Sequence, residues 1–211
     1  MTVEIIECEQ QSDDWWIAKR GVPSASNFSD VMAGGEGKTR TRYLKRLAAE
    51  VVWGMRREEY RNAAMDRGNR MEPQLRATYA LVKNVEPKQV GFVKRTLKVG
   101  FAGYSPDAFV GEDGLLECKS VAGDLMIDLM EENRVPPEHM KQLQGGLWVS
   151  GRKWIDIVVG PETDPAFAGA EPFIRRVGRD EAAIARIALA VEVFNADLNL
   201  MVEWVRRWGK K

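Results

Sequence analysis

The stretch Tyr104-Ser105-Pro106-Asp107-Ala108-Phe109-Val110-Gly111-Glu112-Asp113-Gly114-Leu115-Leu116-Glu117-Cys118-Lys119 decides how this chain is read. Two short apolar runs flank Gly-Glu-Asp-Gly, a composition that turns a chain back on itself and joins two antiparallel strands. Side chains alternate along a strand, so Glu117 and Lys119 point to one face and Leu116 and Cys118 to the other. Pairing across the turn sets Asp107 opposite Glu117 to within about one residue. Two carboxylates and an ammonium then share a small patch. Such a patch suits a divalent cation and a water beside a phosphate; it also suits a plain surface salt bridge.

Outward from the hairpin, a strand pattern precedes it, with Val90 and Phe92, then Val99 and Phe101, in short runs broken by glycine. After it, residues 121–133 read as a helix or a covering segment. Pro136-Pro137 interrupts, and a helix over 138–149 carries His139, Gln142, Leu143, Gln144, Leu147 and Trp148. Strands over 153–159 and 173–177 follow, with a loop over 161–172 between them. The C-terminal part is one long helix over about 180–208. Ile184, Ile187, Val191, Phe194, Leu198, Met201, Val205 and Trp208 recur in threes and fours along it, a seam for the domain core or for a second subunit.

Ahead of the strands lies a mostly helical half. Residues 1–11 read as a strand or an ordered arm. Ser12-Asp13-Asp14 caps a helix carrying Trp15 and Trp16, and Gly21 ends it. Either Ser24 or Ser26 caps the next helix; alternatively Ser26, with Lys19 and Arg20 before it, holds a phosphate at a helix N-terminus. Gly34-Gly35-Glu36-Gly37-Lys38-Thr39 resembles a phosphate-binding P-loop, but Met32 stands where the first glycine belongs, so it reads as a mobile loop. Lys38, Arg40, Arg42, Lys45 and Arg46 follow with no acid between them. They form a strip for a nucleic-acid backbone or a solvated face of the helix over about 41–55. Residues 56–61 are a charged linker. A helix over 63–83 contains Glu72-Pro73, which calls for a kink or a fresh start there. Glu72 is then a cap, or an acid turned toward the hairpin.

Composition sets the outer limits. The 211 residues suit one domain spanning 1–211, and 45% hydrophobic with 29% charged residues is ordinary for a globular protein. Lys plus Arg equal Asp plus Glu at 31 each, so the whole chain does not advertise for nucleic acid; a local basic track with an acidic centre remains open. Two cysteines and one histidine argue against a structural zinc site and exclude a four-cysteine iron–sulfur cluster within one chain. No leader pattern opens the sequence and no run approaches roughly 18 apolar residues, so a cytoplasmic protein without membrane association is expected.

Four segments, in order, carry a resemblance. They are Trp15-x-x-x-Lys19-Arg20-Gly21-Val22-Pro23-Ser24-Ala25-Ser26, Arg67-Gly68-Asn69-Arg70-Met71-Glu72, Ser105-Pro106-Asp107 with Leu116-Glu117-Cys118-Lys119, and Gln142-Leu143-Gln144-x-x-Leu147-Trp148. Together they resemble the lambda-exonuclease-like, YqaJ-type viral recombinase branch of the PD-(D/E)xK nucleases, over about residues 12–160. The resemblance implies an α/β fold with a restriction-endonuclease-like core: a central mixed β-sheet flanked by α-helices, here with a long C-terminal helix. It implies a two-metal 5′→3′ exonuclease on linear double-stranded DNA that leaves 3′ single-stranded overhangs for phage-type recombination. Two magnesium ions, for which manganese substitutes, would be held by Glu72, Asp107, Glu117 and the Cys118 carbonyl. Lys119 would be the catalytic lysine, and Gln142 would position water or a carboxylate. Lys19 or Arg20 with Ser26 would grip the 5′-phosphate; Ser105 would support the centre or touch the strand being cut. Met65 would wedge between frayed bases. Lys38, Arg40 and Arg42 would follow the backbone. The implied partners are DNA ends bearing a 5′-phosphate, a single-strand annealing protein and two further copies in a ring-shaped homotrimer. Two departures stand out: the motif's arginine two residues before the glycine is Lys19 here, and Ala108 follows Asp107 where glycine is common. The rival readings are a site-specific endonuclease on the same fold and a DNA-end-binding module without chemistry.

Overall fold

The computed structural model describes residues 2–34, 38–54, 63–161 and 172–208, with the side chains of 63–67 and 69 left aside. The glycine loop at 35–37, the charged linker at 55–62, the loop at 162–171 and the Met65 side chain therefore lie outside the described residues.

The elements run β1 (Val3–Ile6), α1 (Asp13–Lys19), a 3₁₀ turn (Ala25–Asn27), α2 (Phe28–Val31), α3 (Lys38–Trp53) and α4 (Ala63–Lys83). Then come β2 (Phe92–Thr96), β3 (Phe101–Tyr104), β4 (Ala108–Val110), β5 (Gly114–Val121), α5 (Gly123–Glu132), α6 (Pro137–Ser150), β6 (Trp154–Pro161), β7 (Phe173–Gly178) and α7 (Glu181–Arg207). The fold is mixed α/β, and the mixed sheet is β4-β5-β6-β7. Its β5–β6 pair is parallel and its other pairs antiparallel. A parallel neighbour needs a crossover, which α5 and α6 supply. The strands ahead of it form a second, antiparallel sheet, β1-β2-β3.

The hairpin has the register that its turn dictates. Ala108 faces Leu116, Phe109 faces Leu115 and Val110 faces Gly114, so Asp107 lies one step beyond, alongside Glu117. Alternation then sorts the two faces. Ala108, Val110, Leu116, Cys118 and Val158 pack with Leu75 and Tyr79 of α4. Leu115, Ile155, Ile157 and Val159 join the larger core with residues of α3, α6 and α7.

One expectation changes, and one pair of alternatives is decided. Helix α4 runs through Pro73 without restarting. The ring removes one amide from the helix ladder, a local cost that the burial of Leu75 and Tyr79, two and six positions later, outweighs. The seam on α7 faces the domain core: Ile184, Ile187, Val191, Phe194, Leu198 and Val202 are buried, Met201 and Val205 are half-buried, and Trp208 at its end is exposed. Asp180 caps α7, its carboxylate accepting from the Ala183 N–H at 2.9 Å. Among the described residues no helix is long and apolar enough to cross a membrane.

Candidate active site

Glu117 is the centre of the site. It lies on the face of β5 away from Cys118 and is 3% exposed, a carboxylate that burial would penalise heavily without partners. Three donors meet it. The Tyr104 hydroxyl donates to Oε2 at 2.8 Å, the Gln142 amide to Oε1, and Lys119 Nζ lies 2.8 Å from Oε1. The Lys119 ammonium also donates to Gln142 Oε1 at 3.4 Å, so the Gln142 amide bridges acid and base. A salt bridge between Glu117 and Lys119 therefore exists, but it is half-buried and part of a larger cluster.

Asp107 joins that cluster from the end of β4. Its Oδ2 accepts from the Cys118 N–H. Burial, then the negative charges of Glu117 and Glu72, hold its carboxyl well above the usual range, against the pull of Lys119 and the Cys118 amide. Glu72 approaches from α4, where Arg76 Nη1 donates to its Oε1 at 2.7 Å and to the Asp107 carbonyl at 3.2 Å. Burial alone would lower the Lys119 ammonium, but Glu117 and Asp107 outweigh it and the group is raised, hence firmly cationic at neutral pH. The Cys118 thiol is buried among Leu75, Tyr79 and Leu116, and burial followed by the nearby carboxylates pushes it up. It is packing, not a nucleophile. His139, one turn before Gln142 on α6, is half-buried and held below its usual value by burial and then by Lys119, which makes it neutral near pH 7.

The donor chemistry fits a hard divalent cation. Glu117 and Glu72 both carry charge that, after burial, disfavours ionisation of Asp107, and a dication would relieve that repulsion. The arrangement is not a closed cage, since among the described residues no three acidic, cysteine or histidine side chains stand as a ligand group. Glu72 rests on Arg76, and both oxygens of Glu117 accept from neighbours.

The DNA-facing candidates fall into three groups. Ser105 is held next to Asp107 by Trp15, whose indole Nε1 donates to its hydroxyl at 2.9 Å. Gln10 braces the same loop, its amide donating to the Pro106 carbonyl at 2.8 Å. In the N-terminal motif, Lys19 Nζ lies 4.2 Å above the Trp15 ring and Arg20 is the exposed C-cap of α1. Gly21 (φ 67) makes the turn that follows, where a Cβ would come within 2.3 Å of Val51. Ser26 is exposed and its hydroxyl lies 3.1 Å from that of Ser24; Ser24 is the N-cap residue of the 3₁₀ turn, but neither hydroxyl makes a capping hydrogen bond there or at α2. The cation that reaches this turn is Arg46 of α3, whose Nη2 donates to Asn27 Oδ1 at 3.4 Å. Along α3, Lys38 and Arg42 are exposed, whereas Arg40 is engaged by Asp197 at 2.6 Å and lies over Phe194. Arg40 is an anchor between α3 and α7.

Sequence reading missed Tyr104 and Arg76, and it placed Arg46 in the basic strip of α3 without its contact to the Ser24–Asn27 turn. Arg76 had a signal in its i,i+4 spacing from Glu72. The contacts of Tyr104 and Arg46 had none, because each meets its partner through tertiary packing.

The sequence profile of the YqaJ-like viral recombinase domain matches residues 14–153. No curated protein sequence matches the chain. Among solved structures, an alkaline exonuclease (LHK-Exo) from Laribacter hongkongensis superposes with a TM-score of 0.81 at 31% identity, covering 93% of this chain and 97% of that one. The same exonuclease in complex with dAMP gives 0.82 at 32% identity over the same shares. A phage related exonuclease from Haemophilus somnus 129PT gives 0.53 at 15% identity, covering 84% and 94%, a likeness of fold alone. With the profile spanning the N-terminal motif, α4, the hairpin and α6, and with over 30% identity across nearly the whole length of the exonuclease structure, the chain belongs to the YqaJ-like viral recombinase family.

Proposed function

We propose that this protein is a magnesium-dependent exonuclease that digests linear double-stranded DNA from its 5′ ends and leaves 3′ single strands for annealing. One observation carries the reading. Asp107, Glu117, Lys119 and Gln142 are drawn together at the β4–β5 hairpin, with Glu72 at its edge, in a chain similar to an alkaline exonuclease.

In this reading Lys119 supplies a fixed positive charge beside the phosphate being cut. There it orients the attacking water and balances charge developing on the phosphoryl oxygens. Gln142 holds Lys119 and Glu117 in mutual register, and Tyr104 closes the other side of Glu117. Magnesium, or manganese in its place, would be held by Glu72, Asp107, Glu117 and the Cys118 carbonyl, and would supply Lewis-acid activation of water and of the leaving oxygen. The Ser24–Asn27 turn with Lys19, Arg20 and Ser26 would receive the 5′-phosphate, and Ser105 the strand beside the centre. The expected partners are a single-strand annealing protein and two further copies of the chain.

The test is digestion of linear duplexes labelled at the 5′ or the 3′ end, with magnesium and with chelator. Early release of the 5′ label as mononucleotide, only with magnesium, is the expected result. Early release of the 3′ label would reverse the polarity. Cleavage of a supercoiled closed circle would instead identify an endonuclease on this fold. Faster digestion of phosphorylated than of hydroxyl 5′ ends is expected from the Ser26 turn.

A further inference from the structure

We propose that Tyr104 is a positioning residue of the reaction, acting through Glu117. The proposal rests on the nuclease reading above, and it concerns the donor to Glu117 that, among the described residues, lies outside the acid, lysine and glutamine motifs.

Tyr104 is the last residue of β3 in the antiparallel sheet, whereas Glu117 sits mid-strand in the mixed sheet. Their hydrogen bond, at 2.8 Å, therefore spans the two sheets. The tyrosine is 2% exposed and its ring belongs to the large core, so its hydroxyl cannot turn to water for a substitute partner. The ring is also fixed from the α6 side. A Cβ on Gly146 would fall within 2.8 Å of Tyr104 Cζ, so that glycine is the space into which the phenol fits.

The consequence for Glu117 is orientation. Gln142 and Lys119 both act on Oε1. A carboxylate held at one oxygen still rotates about its last torsion; a carboxylate held at both oxygens does not. Tyr104 is the group that reaches Oε2. Partners of this kind, one step behind a ligand carboxylate, commonly change metal affinity or activity about 10–100-fold when removed.

The experiment compares wild-type protein with Tyr104→Phe, which deletes the hydroxyl and leaves the ring. Manganese binding is measured by calorimetry, affinity for a DNA duplex is measured in chelator, and kcat and KM are measured on linear DNA. Tyr104→Phe is expected to weaken manganese binding about tenfold and to lower kcat about tenfold, with DNA affinity in chelator and KM within twofold of wild type. Glu117→Gln and the double variant Tyr104→Phe/Glu117→Gln complete a cycle for manganese binding. If Tyr104 acts through Glu117, the double variant binds no more weakly than Glu117→Gln alone. Metal affinity and kcat of Tyr104→Phe within twofold of wild type would overturn the assignment, as would full additivity in the cycle. A wild-type protein that neither binds manganese nor digests DNA would overturn the nuclease reading itself, and the two failures are told apart by the wild-type arm. Loss of DNA affinity in chelator equal to the loss of kcat would mark a general structural role, and would also overturn the proposal.

Discussion

Lys119 is the residue at which charge and geometry meet most tightly. Its ammonium is 2.8 Å from Glu117 Oε1 and stays protonated across the neutral range. Lys119→Ala is expected to keep duplex affinity in chelator within about threefold and to cut digestion by at least about a hundredfold, the scale at which one preorganised charge acts on a transition state. Wild-type digestion rates in that variant would defeat the site assignment. Asp107 supplies a stability prediction. Its folded carboxyl is raised above its unfolded value of about 3.9, so its contribution is fully present below that value and is lost as pH rises through the folded one. At pH 7 the metal-free protein thus bears a cost that Asp107→Asn, which cannot ionise, does not. In chelator the variant should melt about 2–4 °C above wild type at pH 7, the shift that ~1 kcal/mol produces in a domain of this size. The gap should close as pH falls toward about 4. A variant that melts below wild type at pH 7 would contradict the repulsion. At this scale the sequence was legible where local geometry fixes position. The turn set Asp107 beside Glu117, and alternation put Lys119 with Glu117 and Cys118 in the packing layer. The Tyr104–Glu117 bond was not legible, since nothing in either strand's own pattern says which residue of another sheet it will meet.

At the scale of elements, α3 divides its basic residues between two jobs. Arg40 is committed to Asp197 and Phe194 of α7, while Lys38 and Arg42 face solvent. Phosphate contacts release counterions, each contributing about 0.9 to the slope of log affinity against log salt. Replacing both Lys38 and Arg42 by alanine should therefore lower that slope by about two, with the folded protein unchanged. Arg40→Ala should leave the slope within about half a unit and lower the melting temperature instead. Filter binding of one duplex from low to moderate salt, beside a thermal melt, separates the two. If Arg40→Ala carries the larger slope change, the ion pair to Asp197 opens on DNA and the division fails. The run of charges was visible in sequence, but the split was not, because Asp197 lies 157 positions away. Helix α4 teaches the same lesson: Pro73 signals an interruption locally, and the burial of Leu75 and Tyr79 against the mixed sheet overrides it. The strands were recognisable one by one, yet their division between two sheets rests on long-range pairing that short apolar runs do not encode.

For the whole molecule, the decisive quantity is the balance of 31 basic against 31 acidic residues. A neutral chain with acids at its centre does not hold a polyanion by its overall field, and a few lysines and arginines on α3 would give an attachment that salt weakens quickly. A single chain of this kind is expected to leave DNA after a few cuts. Long uninterrupted digestion then requires enclosure, and a ring of three copies would provide it. The buried seam of α7 is not available for that contact, since Ile187, Val191 and Phe194 are already in the domain core. The measurement has two parts. Sedimentation should give a mass about three times the 23.8 kDa of the chain. A large excess of heparin, added just after digestion of a long linear duplex begins, should block new starts without halting chains already under way, because an encircled strand cannot exchange onto the trap. Digestion that stops within a few nucleotides of heparin addition, in a protein that sediments as a single chain, would sink the ring and leave the enzyme a distributive one held at DNA ends by its charged strip alone.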